Sequence, residues 1–153
     1  MSRLVALGAD DAERLAALHA AAFERPWNAQ AFRDLFATPG VGALGVAAEG
    51  GLAGLILLRA IAGEAEILTL AVAPEARRRG VGRALVEAAA GTAAGLDAET
   101  LWLEVAADNL AALVLYRGAG FDIAGRRPAY YSRAAAPAQD AVIMRRTLNS
   151  GAG

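Results

Sequence analysis

The run Arg77-Arg78-Arg79-Gly80-Val81-Gly82-Arg83 combines concentrated positive charge with two glycines two positions apart. It stands between an apolar stretch that stops at Ala73-Pro74 and an amphipathic stretch that opens at Val81. Such a turn is suited to holding phosphate. Glycine lets the backbone come close to an anion, the first unpaired amides of a helix point at it, and the helix dipole favours negative charge there. Amides from Arg78 to Arg83 can converge on a pyrophosphate. The alternative is a solvated charge run in which Gly80 and Gly82 only permit a turn; the position between strand end and helix favours the anion site. A dinucleotide fingerprint is disfavoured, since the third glycine is missing and no acidic residue closes a second strand at the required distance.

Two further residues have the chemistry to move protons. Glu104 ends the apolar run Leu101-Trp102-Leu103-Glu104-Val105, where a carboxylate can take a proton directly or through water; it can equally be an outward strand residue satisfied by solvent or arginine. Tyr116 carries a phenol that is a donor at neutral pH, or it is a core residue with a bonded hydroxyl. Trp27, Tyr130 and Tyr131 can supply aromatic walls to a binding site, or anchor the first helices and finish a strand. His19 reads as structural or exposed, because Ala17, Ala20 and Ala21 offer it no acid or nucleophile.

Absences narrow the chemistry further. The 153 residues include no cysteine and no lysine, all fifteen basic residues are arginine, and His19 is the only histidine. Thiolate nucleophiles, disulfides, cysteine or multi-histidine metal sites, Schiff bases and a Walker A lysine are thereby removed. Formal net charge is -1, so nothing global points to nucleic acid or an anionic membrane. No apolar run approaches the roughly 20 residues of a membrane span, and Asp10, Asp11 and Glu13 stand where an export signal needs a basic start. A cytoplasmic protein without metal is expected.

The elements that must position these groups follow from pattern. Arg3–Leu7 reads as a strand, and Asp10-Asp11-Ala12-Glu13 as a capping-box-like start of a helix to about Phe23 with Leu15, Leu18 and Ala22 inward. Asn28 caps a second helix through Phe36. Val41–Ala48 and Leu52–Ile61 form a hairpin about Glu49-Gly50-Gly51, and Glu64–Val72 is the next strand. A helix follows with Val81, Ala84, Leu85, Ala88 and Ala89 inward, then a strand Thr100–Val105 and a helix Asn109–Arg117. The strands Phe121–Arg126 and Ala141–Leu148 close the chain around a loop from Arg127 to Asp140. The order βααβββαβαββ predicts an α/β fold, a mixed sheet with helices packed on it, as one domain over residues 1–148 with a flexible tail at 149–153.

Arg77-x-x-Gly80-x-Gly82 after Leu70-Ala71-Val72-Ala73-Pro74 resembles the acetyl-coenzyme A loop of the GNAT acetyltransferases, and the element order agrees with that fold. Trp102-Leu103-Glu104-Val105, Asn109, Ala111, Ala112, Leu115-Tyr116, Gly120-Phe121, Pro26-Trp27, Arg127, Tyr130-Tyr131 and Asp140 to Met144 resemble the branch of that family that acetylates the N-terminal alanine of ribosomal proteins. The resemblance implies that Leu70, Ala71 and Val72 pair their backbone with the pantetheine arm of acetyl-CoA. It implies further that Arg78, Arg79, Gly80, Val81 and Gly82 hold the pyrophosphate with Arg77 and Arg83 flanking. Asn109 then hydrogen-bonds the cofactor, Glu104 is the base and Tyr116 the acid. The implied acceptor is a protein N-terminus, for which Trp27, Tyr130 and Tyr131 supply the aromatic walls, reached by direct acyl transfer. Pro128 and Ala134-Ala135-Ala136-Pro137 depart from the family's pattern near the acceptor side. A small amine or a lysine side chain is the alternative acceptor, and an acetyl-CoA sensor the non-catalytic alternative.

Overall fold

The computed structural model describes residues 3–133 and 136–148, with side chains outside 129–139. The predicted flexible tail therefore lies outside the described residues, as do Ala134 and Ala135. The elements are β1 (Arg3–Leu7), α1 (Ala12–Ala22), α2 (Ala29–Phe36), β2 (Val41–Ala48), β3 (Gly51–Ile61), β4 (Glu64–Val72), α3 (Val81–Gly95), β5 (Thr100–Ala106), α4 (Leu110–Gly118), β6 (Asp122–Arg133) and β7 (Ala136–Thr147). Short 3-10 turns precede α1 at Ala9–Asp11 and follow β4 at Pro74–Ala76. The order is the one expected.

All seven strands join one sheet in the order β1-β2-β3-β4-β5-β7-β6. Every neighbouring pair is antiparallel except β4 and β5. The hairpin between β2 and β3 turns through Glu49 and Gly50, whose φ of 82° is open to glycine at no steric cost. In β3, Leu55, Ile56 and Leu57 are all fully buried, because helices cover both faces of the sheet there and the strand has no wet side to alternate with. At β5 burial alternates instead, with Leu101, Leu103 and Val105 buried and Trp102, Glu104 and Ala106 only partly so. One face of that part of the sheet is open.

Three local expectations are corrected. Asp11 does not cap α1 through its side chain; its carboxylate accepts from the Gly8 N–H at 2.9 Å and pairs with Arg14 at 3.0 Å, closing the 3-10 turn instead. The buried stripe of α3 runs through Val81, Leu85, Val86, Ala89, Ala90 and Ala93, with Ala84 and Ala88 at its edge. In so alanine-rich a helix, hydrophobic period locates the face only to within one position. Within the predicted loop Arg127–Asp140, the described residues 127–133 and 136–140 are instead extended ends of β6 and β7, in which Tyr131 opposes Gln139. Pro128 is accommodated because β6 is the sheet's edge, where a missing amide donor costs no ladder bond, and the register shifts between Arg127 and Tyr131.

Two glycines set how closely the layers approach. A Cβ at Gly54 in β3 would stand 2.8 Å from Val81 Cγ1 and 2.9 Å from Leu85 Cδ1, so only glycine lets the first turn of α3 lie on the sheet. Gly82 is packed against Leu115 of α4 and Val72 of β4, which brings the end of β4, the start of α3 and the middle of α4 together.

Candidate active site

The parallel ladder between β4 and β5 is short. It joins Glu64, Ala65 and Glu66 to Thr100, Leu101 and Trp102 and then ends, so residues 67–72 of β4 have no strand partner on that side among the described residues. The Ala73 N–H donates to the Ala53 carbonyl at 2.8 Å, and the register continues with Ala71 opposite Leu55. Polar backbone groups alternate along an antiparallel strand, so Ala71 turns its N–H and C=O to β3, while Leu70 and Val72 turn theirs to the opening. The expectation that Leu70, Ala71 and Val72 all offer backbone to a pantetheine arm is thus corrected to Leu70 and Val72.

The basic turn lies at the top of this opening. Arg78 (φ 63°) and Gly80 (φ 79°) are both left-handed, and the Gly80 carbonyl accepts the Ala84 amide at 3.0 Å. Val81, Gly82 and Arg83 amides are therefore the first three of α3, the ones a helix leaves without an internal acceptor. Arg77, Arg78 and Arg79 are exposed around the turn. Arg83 is different: its guanidinium lies along α3 beside Glu87 at 3.5 Å, near Gly118. Arg146 completes this cluster, reaching Glu87 and the Ala119 carbonyl and, by its hydrogen bond, holding the Glu87 carboxyl below the usual range. The backbone of Arg83 belongs to the turn, whereas its charge is engaged a helical turn away.

A bulge at Leu68 divides β4, since Leu57 opposes Thr69 while Leu58 opposes Ile67. As a result Thr69 and Glu66 share one face of the sheet, the face covered by α1, and Leu70 and Val72 face α3. Glu66 opposes Trp102; two residues along β5 on the same face is Glu104. Opposite Glu104 is Ile143 of β7, and Arg127 of β6 approaches from beyond it. Arg127 Nη2 is 2.9 Å from Glu104 Oε1. Glu104 is thus an outward strand carboxylate paired with arginine, and it also stands beside the mouth of the opening. Below it a groove of about 370 Å³ is lined by Arg59, Ile61, Glu64, Ala65, Glu66 and Trp102, with the indole N–H bonded to Glu64 at 2.9 Å. A larger groove of about 730 Å³ lies beyond the basic turn, with Arg79 and Val81 on one side and Ala17 and Ala21 of α1 on the other, and it includes neither Glu104 nor Tyr116.

Tyr116 is buried on α4, edge-on to Phe121 at 5.6 Å between ring centres, and next to the Leu115 that touches Gly82. It lies on the α3 side of the sheet, and Glu104 on the other. The opening between β4 and β5 connects the two sides. Asn109 caps α4, its Oδ1 accepting the Ala112 amide at 3.2 Å, which leaves its amide nitrogen as a donor for a ligand. Tyr130 and Tyr131 fall on β6, their side chains outside the described residues.

Trp27 is only partly buried, in the turn between α1 and α2, and packs on Phe32 at 5.6 Å and His19 at 5.0 Å. It does anchor the two helices, and it does so on the same face as Glu104. Sequence reading missed what holds it. His19 is 3% exposed, accepts the Trp27 N–H at Nδ1, and meets Thr69 Oγ1 through Nε2, each at 3.0 Å. Burial lowers its pKa to about 4. Gly54 also went unassigned, since it shows only as a glycine in an apolar run, and Arg127, named only as part of the resemblance, had no role, since its pairing with Glu104 requires a three-strand register that no local pattern reveals.

Residues 12–121 match the Acetyltransferase (GNAT) family. The chain is 36% identical over 121 residues to ribosomal protein bS18-alanine N-acetyltransferase of Salmonella typhimurium, spanning 78% of this chain and 79% of that one. It is 39% identical over 147 residues to N-alpha-acetyltransferase RimI of Mycobacterium tuberculosis, spanning 92% and 89%. The crystal structure of the ribosomal-protein-S18-alanine N-acetyltransferase from Escherichia coli shares the fold with a TM-score of 0.90 at 29% identity, over 97% of this chain and 95% of that one. Arabidopsis thaliana NAA60 in complex with acetyl-CoA shares the fold at a TM-score of 0.86 and 18% identity, over 97% and 99%. The chain thus belongs to the GNAT acetyltransferase family. It is an N-acetyltransferase.

Proposed function

We propose that this enzyme moves the acetyl group of acetyl-CoA to the N-terminal α-amine of a protein, with an alanine-starting ribosomal protein as acceptor, in the cytoplasm. The observation that carries the reading is the opened ladder between β4 and β5, with a helix N-terminus on one side and a carboxylate on the other. A donor held by phosphate and an acceptor that arrives as a cation can therefore approach from opposite faces. The names borne by the relatives in Salmonella and Mycobacterium support the acceptor class.

Acetyl-CoA supplies an activated thioester when bound, and the chain's residues fit it. The amides of Val81, Gly82 and Arg83, with Arg77 to Arg79 around them, bind the pyrophosphate. Leu70 and Val72 offer backbone donors and acceptors to the pantetheine arm, and a donor there polarises the thioester carbonyl. Asn109 Nδ2 adds a further donor. An α-amino group with a pKa near 8 is mostly protonated at neutral pH; Glu104 takes that proton, and the freed lone pair forms the new C–N bond. Tyr116 gives a proton to the sulfur as the C–S bond breaks, and the second proton shed by the newly acylated nitrogen returns through solvent to restore the phenol. Trp27, on the same face as Glu104, flanks the acceptor's path.

The test is a panel of ribosomal-protein N-terminal peptides differing in their first residue, incubated with enzyme and acetyl-CoA and read by mass spectrometry. Acetylation concentrated on peptides that begin with alanine supports the acceptor assignment. Uniform acetylation of all first residues, or of none, removes it.

A further inference from the structure

We propose that Arg127 is a positioning residue for the base, acting through Glu104 from two strands away. The inference rests on the reading of Glu104 as the group that takes the acceptor's proton. Arg127 opposes Ala141 of β7, and Ala141 in turn opposes Ala106 of β5, so the three lie in one row across the sheet. Two alanines in that row leave the surface low, and the arginine side chain crosses it diagonally to reach Glu104 Oε1 at 2.9 Å. A bulkier residue at Ala141 would stand in its path.

The pair's value is not stability. With side chains 53% and 23% exposed, it belongs to the class of ion pairs that contribute little to folding. Orientation is what it supplies. A glutamate on an open strand face has three rotatable bonds, and a base works only within hydrogen-bond reach of the proton it removes. The guanidinium fixes Oε1 and leaves Oε2 to meet the amine. Among the described residues on that face, Glu66 is paired with Arg59, Glu64 accepts from the Trp102 indole, and Arg145 lies over the Trp102 ring at 5.7 Å. Arg127 is, among the described residues, the one paired with Glu104.

The experiment measures kcat with an alanine-starting peptide, and the acetyl-CoA Kd, for Arg127→Gln, Arg127→Lys, Glu104→Gln and the double variant Glu104→Gln/Arg127→Gln. Arg127→Gln is expected to lower kcat by about tenfold or more while the acetyl-CoA Kd stays within about twofold, and Arg127→Lys to recover most of the loss. The double variant is expected to be no slower than Glu104→Gln, because a residue that acts only through Glu104 has nothing left to orient. Parental kcat in Arg127→Gln, with Glu104→Gln slow, overturns the positioning role alone. So does a double variant whose loss is the product of the two single losses, which is the signature of a separate or merely structural effect. Parental kcat in Glu104→Gln overturns the base assignment and the positioning role with it.

Discussion

His19 Nε2 donates to the hydroxyl of Thr69 across 3.0 Å, tying α1 to the strand residue that directly precedes Leu70. The direction follows from the other side of the ring: the Trp27 N–H points at Nδ1, so Nδ1 must carry the lone pair and Nε2 the hydrogen. One neutral imidazole thereby fixes both the turn that carries Trp27 and the stretch of β4 that borders the opening. Phe23 stacks on it at 4.3 Å and excludes water.

That ring makes stability depend on pH. Its pKa is about 4 in the fold against 6.5 for the free group, so the unfolded chain binds the proton more readily. Stability is fully present above pH 6.5 and is lost as pH falls towards 4. Between pH 7 and pH 5 the loss is about 2 kcal/mol from this residue. Urea unfolding at the two pH values measures it; in His19→Gln, which keeps an acceptor and a donor but does not titrate, the pH difference is expected to shrink by that amount. Equal differences in parent and variant would contradict the neutral buried ring.

Charge at the basic turn is separable from its conformation. Gly80 is left-handed, with nothing within 4 Å of the place a Cβ would occupy, so aspartate and asparagine there share the same backbone strain and differ only in charge. Gly80→Asp is expected to bind acetyl-CoA at least about tenfold more weakly than Gly80→Asn by calorimetry, through repulsion of the pyrophosphate. Equal affinity of the two variants would remove the turn from phosphate binding.

Gly54 sets the height of α3 above the sheet. An alanine Cβ there meets Val81, Leu85 and, at 3.1 Å, the Ala71 carbonyl oxygen, so α3 must lift at the turn that presents its free amides. Gly54→Ala is expected to cost about 1–3 kcal/mol in urea unfolding and to weaken acetyl-CoA binding at the same time. Parental values of both would mean that the helix start tolerates displacement.

Much of this was legible in the sequence because the signals were local. The strands β1, β2 and β4, the Asn28 cap and the start of α3 at Val81 each follow from neighbouring residues, and the structure places them there. What escaped depends on residues far apart in the chain. His19 meets Thr69 fifty positions away, and its alanine neighbours gave no sign of burial. Glu104 and Arg127 meet only because β7 inserts between β5 and β6. The ends of β6 and β7 read as loop because Pro128 and the alanine run break the pattern of an interior strand, while an edge strand tolerates them. The bulge at Leu68, which puts Glu66 and Thr69 on the same face of the sheet, has no mark in the apolar run that contains it.

The central claim is transfer of acetyl to a protein α-amine, and mass spectrometry of two peptides tests it most directly. One is a basic, alanine-starting ribosomal N-terminus; the other is the same peptide blocked at its α-amine and carrying a free lysine. Incubated with enzyme and acetyl-CoA, the first is expected to gain one acetyl group at its terminus and the second none. Acetylation of the lysine with the free α-amine left untouched would contradict the account.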